Sequence, residues 1–409
     1  MSDPLRVLVA GGGVAGLETL LALRDLAGER VRCTLLTPER EFVYRPMAVG
    51  EPFARGRAAR HRLDTIARDL DAELVAGRLV EIDADARQAI TEDGGRLDYD
   101  ALVIGVGAGS EPALPHVLTW TPERDAEVYG GLLRDLDEGY TKRVAFVVPV
   151  GVAWPLPGYE LALMTAWQAR SMGHDDVRIT IYTPEEAPLA LFGAAASIAV
   201  HDDLDQAGIR VRTGAVVTAA DGGLRVEPEG RELDAQRIVA LPRAVGYALA
   251  GVPNDERGFI LCDAHGQVAG SDAVWAAGDA TAFPIKQGGL AAQQADAAAE
   301  AIAARAGADV EPQPFRPVLR GVLLTGRGQQ WMRGPSDTDE GAAARHALFW
   351  PPTKIAGRYL APYLAARDEA GALGRVPEPA GQDVQLDLER DVPAAADALR
   401  AARRRTSAK

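Results

Sequence analysis

The chain is 409 residues long, 47% hydrophobic and 25% charged, enough for two or three domains with large buried cores. Its formal net charge of −14 argues against a general nucleic-acid binder, which needs a basic surface. With no run of 18 apolar residues and no basic-then-apolar opening segment, a cytoplasmic protein is expected. Peripheral contact with the inner face of a membrane and a homodimer are left open.

The first expected strand, residues 6–10, runs straight into Gly11-Gly12-Gly13-Val14-Ala15-Gly16, a G-x-G-x-x-G turn, and an apolar-periodic helix follows over 14–27. In such a turn Gly11 makes the tight bend, Gly13 lets the backbone approach a pyrophosphate, and Gly16 permits close helix–strand packing. The helix N-terminus, with Val14 and Ala15, offers free N–H groups and a partial positive charge to that anion. Residues 32–36 complete a βαβ unit. An acid at the end of that strand would grip the adenosine ribose. Thr37 stands there instead, with Glu39 two residues on, which weakens nucleotide selectivity at this point.

Further along, segment 72–83 holds Leu79, Val80 and Ile82, and segment 99–108 reads as a buried strand entering the turn Gly105-Val106-Gly107-Ala108. A second βαβ pattern follows: strand 144–148, helix 159–172, strand 178–182, helix 194–206, and short strands at 210–213, 215–219 and 237–241. The apolar stretch 187–200, interrupted by Pro188 and Gly193, reads as buried loop and helix. A strand from 274 ends in Gly278-Asp279, and an alanine-rich helix covers 289–306. Pro312, Pro314 and Pro317 form a linker to a region with a strand near 318–324 and a helix over 354–366. The tail from Pro377, ending in Arg403-Arg404-Arg405, reads as frayed and solvated.

The expected fold is therefore α/β: two Rossmann-like three-layer dinucleotide-binding domains, the second inserted in the first, plus a C-terminal α+β region. The boundaries are 1–112 and 242–306 for the first domain, 113–241 for the second, 307–376 for the C-terminal region and 377–409 for the tail. Cys33 and Cys262 belong to no C-x-x-C pair, and the six histidines show no ligand spacing, so no metal site is expected.

Gly11-x-Gly13-x-x-Gly16, the turn through Gly107, and Gly278-Asp279 before a helix stand in one order over most of residues 1–306. Together they resemble the two-dinucleotide-binding-domain flavoproteins of the pyridine nucleotide-disulfide oxidoreductase superfamily. These include disulfide reductases, type II NADH dehydrogenases, sulfide:quinone reductases and flavocytochrome c sulfide dehydrogenases. The resemblance implies noncovalent FAD extended along the first domain, with Gly11, Gly13 and Gly16 at the pyrophosphate, Thr37 near the ribose, and Gly107 and Ala108 in the second cofactor turn. Asp279, after Gly278, would accept from the ribityl chain or an adjacent oxygen, and Val80 would approach the adenine through its backbone. Arg45 and Pro46 would pass close to the isoalloxazine. The N–H groups around Gln287, Gly288 and Gly289 would face the flavin pyrimidine, with Lys286 adding positive charge where negative charge develops. Pro-x-Lys at 284–286 and the segment 42–46 are most similar to the sulfide:quinone reductase branch.

The sequence also departs from these relatives. Residues 42–53 lack the reactive cysteine pair of the disulfide reductases, and neither Cys33 nor Cys262 suits the sulfur-carrying role of sulfide:quinone reductases. Where a second G-x-G-x-x-G is expected, the chain reads Pro149-Val150-Gly151-Val152-Ala153-Trp154-Pro155-Leu156-Pro157-Gly158, and proline has no N–H to donate. Glu160 then either complements a positive helix end or relays protons beside the flavin. In the aromatic segment from 348, Ile355, Tyr359, Leu360 and Tyr363 recur at helical spacing, consistent with core packing or a dimer contact. The alternative there is an acceptor pocket lined by Trp350 and Lys354. The expected function is an FAD-dependent oxidoreductase with Glu160 and Lys286 in catalytic roles. It would pass two electrons from a small-molecule donor to a quinone-like or small-carrier acceptor without a redox disulfide. Direct NAD(P)H oxidation of the type II NADH dehydrogenase kind, and a flavin-bearing scaffold or sensor with negligible turnover, stand as alternatives.

Overall fold

Apolar runs such as Val7-Leu8-Val9-Ala10 and Ala101-Leu102-Val103-Ile104 are buried along their whole length, as strands covered on both faces must be. In the computed structural model, which describes residues 3–122, 125–220, 222–335, 340–350 and 352–367, they lie in a five-stranded parallel sheet. Its order is Val274–Ala276, Ala101–Ile104, Leu5–Ala10, Val31–Thr37, Glu73–Ala76. Helices Val14–Leu26 and Gly288–Arg305 cover one face through Leu17, Leu20, Ala298 and Ile302. An antiparallel meander, Leu79–Asp83, Gln88–Thr91 and Arg96–Asp98, covers the other through Leu79, Ile82 and Ala89.

A second five-stranded parallel sheet is built wholly from residues between the strands Ala101–Ile104 and Val274–Ala276 of the first. Its order is Leu118–Thr119, Arg237–Ala240, Arg143–Val147, Arg178–Tyr182, Arg210–Arg212. Helices Leu156–Ser171 and Ala194–Gln206 pack on one face, and a second meander spanning residues 216–232 packs on the other. The C-terminal region adds an antiparallel sheet, Arg320–Leu324, Gln329–Arg333 and Ala342–Ala344, and the short helix Leu360–Arg367. The expected α/β architecture, with one Rossmann-like unit inserted in another, is the observed one. Among the described residues no helix is long and apolar enough to cross a membrane.

Several expected elements differ in extent or kind. The helix expected from residue 159 is Leu156–Ser171, because Pro157 is tolerated in a first turn, where its missing N–H would be unpaired anyway. Glu160 is therefore a whole turn inside the helix rather than at its opening. The helix expected over 354–366 is only Leu360–Arg367. Residues 354–359 stay non-helical because their backbone groups bond to other elements: Ile355 N–H to the Tyr44 hydroxyl and Tyr359 N–H to the Glu18 carboxylate. The strand expected at 215–219 is Val216–Ala220, and it belongs to the antiparallel meander, not the parallel sheet. Pro351, the tail from 377 and its arginines lie outside the described residues.

Candidate active site

The glycine turn after Leu5–Ala10 is shaped by clearances that only glycine meets. Gly11 has φ +118°, and a Cβ there would come within 2.2 Å of the Gly105 carbonyl oxygen. A Cβ on Gly16 would lie 1.8 Å from the Gly11 carbonyl oxygen, so helix and strand touch through backbone. A Cβ on Gly13 would meet nothing within 4 Å, so the space over Gly13 belongs to the cavity and not to the protein's own packing. Gly13 caps the helix Val14–Leu26 in an extended conformation with no side-chain cap, and no acidic residue stands in the first turn. That positive helix end opens into a cavity of about 710 Å³.

The cavity runs past the ends of the first sheet's strands and on toward the inserted domain. Gly11, Gly13, Val14 and Ala15 line it beside Thr37, Glu39 and Val80, and Gly107, Ala108, Gly278 and Asp279 line its middle. Thr37 is buried and its hydroxyl accepts from the Glu39 N–H at 3.2 Å, leaving the exposed Glu39 carboxylate at the strand end. Asp279 has no hydrogen-bond partner among the described residues; burial pushes its carboxyl upward, while Lys286 and Arg45 oppose that shift. Lys286 donates to the Thr281 carbonyl and stacks its ammonium 3.8 Å from the Phe259 ring centroid. Burial lowers its pKa to about 8, partly offset by Asp279.

Gln287 and Gly288 line the same wall, but the Gln287 side chain turns back to accept the Leu290 N–H at 2.8 Å and so caps the helix Gly288–Arg305 from within the protein. Gly289 sits behind this cap and Gly16 behind the glycine turn; neither lines the cavity.

At the far end, three distant stretches of chain converge. Glu160 Oε1 accepts from Lys354 Nζ at 2.5 Å and from the Leu324 N–H at 2.8 Å; Lys354 Nζ also donates to the Pro46 carbonyl at 3.2 Å. Both side chains are buried, and desolvation raises the Glu160 pKa against the opposing charge of Lys354. Around them the wall is apolar and aromatic, with Trp120, Trp154, Leu156 and Val322. Trp154 stands edge-on to Phe192 at 5.8 Å. The helix that begins at Leu156 is preceded by Pro155 and has Pro157 in its first turn, so two of the N–H groups that would face a second pyrophosphate do not exist.

The structure thus brings Arg45, Pro46, Val80, Glu160, Asp279 and Lys286 to one cavity. Lys354 joins them, but Trp350 is 84% exposed and does not line it. Trp120, Tyr247 and Val322 line the cavity without belonging to any local motif; only long-range folding brings them there. Cys33 and Cys262 are free, burial pushes their thiols up to about 12 and about 11, and neither lines the cavity. Among the described residues no group of three or more His, Cys, Asp or Glu side chains could hold a metal ion.

A glycine cradle open only on its cavity side, an uncapped positive helix end and an unpartnered, half-buried carboxylate together fit a long cofactor with a pyrophosphate centre and a polyhydroxyl chain. Residues 5–301 match the family model described as pyridine nucleotide-disulphide oxidoreductase. A curated relative, the ferredoxin reductase component of a chlorobenzene dioxygenase from Cupriavidus sp. (strain PS12), is 29% identical over 303 residues, covering 69% of this chain and 68% of its own. Among solved structures, the sulfide:quinone oxidoreductase of the hyperthermophilic bacterium Aquifex aeolicus matches with a TM-score of 0.74 at 21% identity, over 83% of this chain and 86% of that one. A ferredoxin reductase from Rhodopseudomonas palustris matches with a TM-score of 0.58 at 23% identity, over 82% and 83%. The cofactor is FAD and the protein is an FAD-dependent oxidoreductase. The chain belongs to the pyridine nucleotide-disulphide oxidoreductase family.

Proposed function

We propose that this chain passes two electrons from a small-molecule donor to a quinone-like or small-carrier acceptor through noncovalent FAD, without a protein disulfide. The observation that carries this reading is the contrast between two turns on one cavity: the first glycine turn is open to a pyrophosphate, and the second is filled by Pro155, Pro157 and Trp154. Bound FAD supplies the two-electron chemistry. In this reading Gly11, Gly13, Val14 and Ala15 form the pyrophosphate seat with Gly16 packing helix on strand behind it, Thr37 and Val80 border the adenosine end, and Gly107, Ala108, Gly278 and Gly289 shape the backbone around the rest. Asp279 accepts from a hydroxyl of the cofactor, and Arg45, Pro46, Gln287 and Gly288 border its ring system. Lys286 holds positive charge nearby. Glu160, buried and hydrogen-bonded to Lys354, holds or moves a proton at Oε1 for a substrate bound against the apolar wall. Neither Cys33 nor Cys262 lines this cavity, which supports a route without thiols. The working units are residues 1–112 with 242–306, 113–241, and 307–376.

Oxidation of NADH or NADPH by direct hydride transfer is the second reading, and the family match favours it. Anaerobic mixing of the holoprotein with NADH, NADPH, sulfide or a reduced carrier protein separates the two. Slow bleaching of the flavin band by both nicotinamides, with steady turnover of a quinone or carrier by another donor, is expected. Rapid bleaching by NADH or NADPH overturns the first reading.

A further inference from the structure

A second cavity, of about 500 Å³, lies on the inserted unit and shares no lining residue with the first. Three adjacent strands of the inserted sheet, the end of the helix Leu156–Ser171 and the meander line it, while the flavin cavity takes Trp120 and Pro242 from just past the C-terminal ends of neighbouring strands. The in-register pairings Arg143↔Arg178, Thr180↔Arg210 and Tyr182↔Arg212 put Arg143, Arg178, Arg210 and Arg212 on one face, because residues paired across parallel strands point the same way. That face is the one packed against the meander, whose Arg231 lines the cavity from across.

Six arginines line this cavity against three carboxylates, those of Asp175, Glu232 and Asp234. Arg143 pairs with Asp234 at 3.2 Å and Arg231 with Glu229 at 3.6 Å. The side chains of Arg178 and Arg210, both exposed, and of the half-buried Arg212 have no hydrogen-bond or ion-pair partner among the described residues, although the chain as a whole carries a net charge of −14. Strands lie about 4.8 Å apart, so these guanidinium groups are neighbours, and like charges so placed repel. A planar guanidinium donates a matched pair of hydrogen bonds to phosphate oxygens, and three of them on one wall suit a ligand with more than one such group.

We propose that this cavity is a binding site for a small polyanion bearing two or more phosphate groups, separate from the flavin site. Its size favours a small molecule over an extended polymer. Bound there, the ligand neutralises Arg178, Arg210 and Arg212 and stabilises the inserted domain.

The test is calorimetric titration of the holoprotein with inorganic tripolyphosphate at constant ionic strength, with melting followed in parallel. One saturable event per chain and a raised melting temperature are expected, with the flavin spectrum unchanged. Arg210→Gln with Arg212→Gln weakens the affinity at least tenfold, and so does Arg178→Gln alone; their flavin content and melting without ligand report whether they fold. The absence of saturable binding to the unmodified protein overturns the proposal. So does undiminished binding to either folded variant, an equal response to sulfate at matched ionic strength, or binding of poly-glutamate in preference to tripolyphosphate.

Discussion

Three glycines of one motif do different physical work, and substitution separates them. Gly13 is unconstrained by the protein, so Gly13→Val keeps the fold but puts a side chain into the cavity proposed for the cofactor. Its expected outcome is near-native melting of the apoprotein with flavin content lowered at least tenfold, read from absorbance per chain. Gly16→Ala pushes against backbone at 1.8 Å, so it disrupts the strand–helix contact and lowers the melting temperature of the apoprotein itself. Lys286 gives a pH signature. Burial lowers its pKa to about 8, so its charge beside Asp279 is present below that pH and lost above it. Turnover that depends on this charge therefore falls as pH rises through about 8, and Lys286→Arg, whose side chain stays protonated, removes that limb of the pH–rate profile.

At the scale of elements, the pairing of helices Val14–Leu26 and Gly288–Arg305 contains a built-in conflict. Glu18 on the first is buried and accepts the Tyr359 and Leu360 N–H groups, tying the start of the helix Leu360–Arg367 to this pair. Asp296 on the second faces it, with Oδ1 buried and unpartnered. Burial first, and then the charge of Glu18, push Asp296 up to about 8, against about 3.9 in an unfolded chain. Between those values the folded state holds the extra proton, so stability falls as pH rises from about 4 to about 8. Asp296→Asn removes this fall, and urea midpoints at pH 5 and pH 8 should then lie closer together than in the unmodified protein.

On the scale of the whole molecule, the Glu160–Lys354 pair joins the inserted domain to the C-terminal region, and the Pro46 carbonyl brings in the first domain. Removing one partner leaves a buried charge without compensation, at a cost of about 3–5 kcal/mol. Lys354→Met is expected to destabilise by that order, and Glu160→Gln with Lys354→Met to recover most of the loss, since a neutral pair carries no buried charge. Activity follows a different pattern under the proposed proton role. Both the single Glu160→Gln and the double variant lose at least tenfold in kcat while retaining flavin. Recovery of kcat in the double variant would assign the pair a purely structural role.

The sequence by itself determined the glycine turn, most strands of the two parallel sheets and the nesting of one unit in the other, because these rest on local signals; the short strands Glu73–Ala76 and Leu118–Thr119 carry too weak a pattern to stand out. Continuous apolar runs mark doubly covered strands, and Gly11, Gly13 and Gly16 stand at fixed spacing where strand passes to helix. It also disclosed the obstruction of the second turn, since proline lacks an N–H wherever it sits. The C-terminal helix was legible only in part: its apolar spacing extends back to Ile355, yet residues 354–359 surrender helical bonds to Tyr44 and Glu18. Tertiary structure alone decided what Glu160 pairs with, because Lys354 lies 194 residues away and the charge of a buried acid depends on its partner. It likewise decided the three-arginine wall, where residues separated in sequence become neighbours through strand register. Periodicity records which face of an element is buried; which elements meet across that face is set by packing.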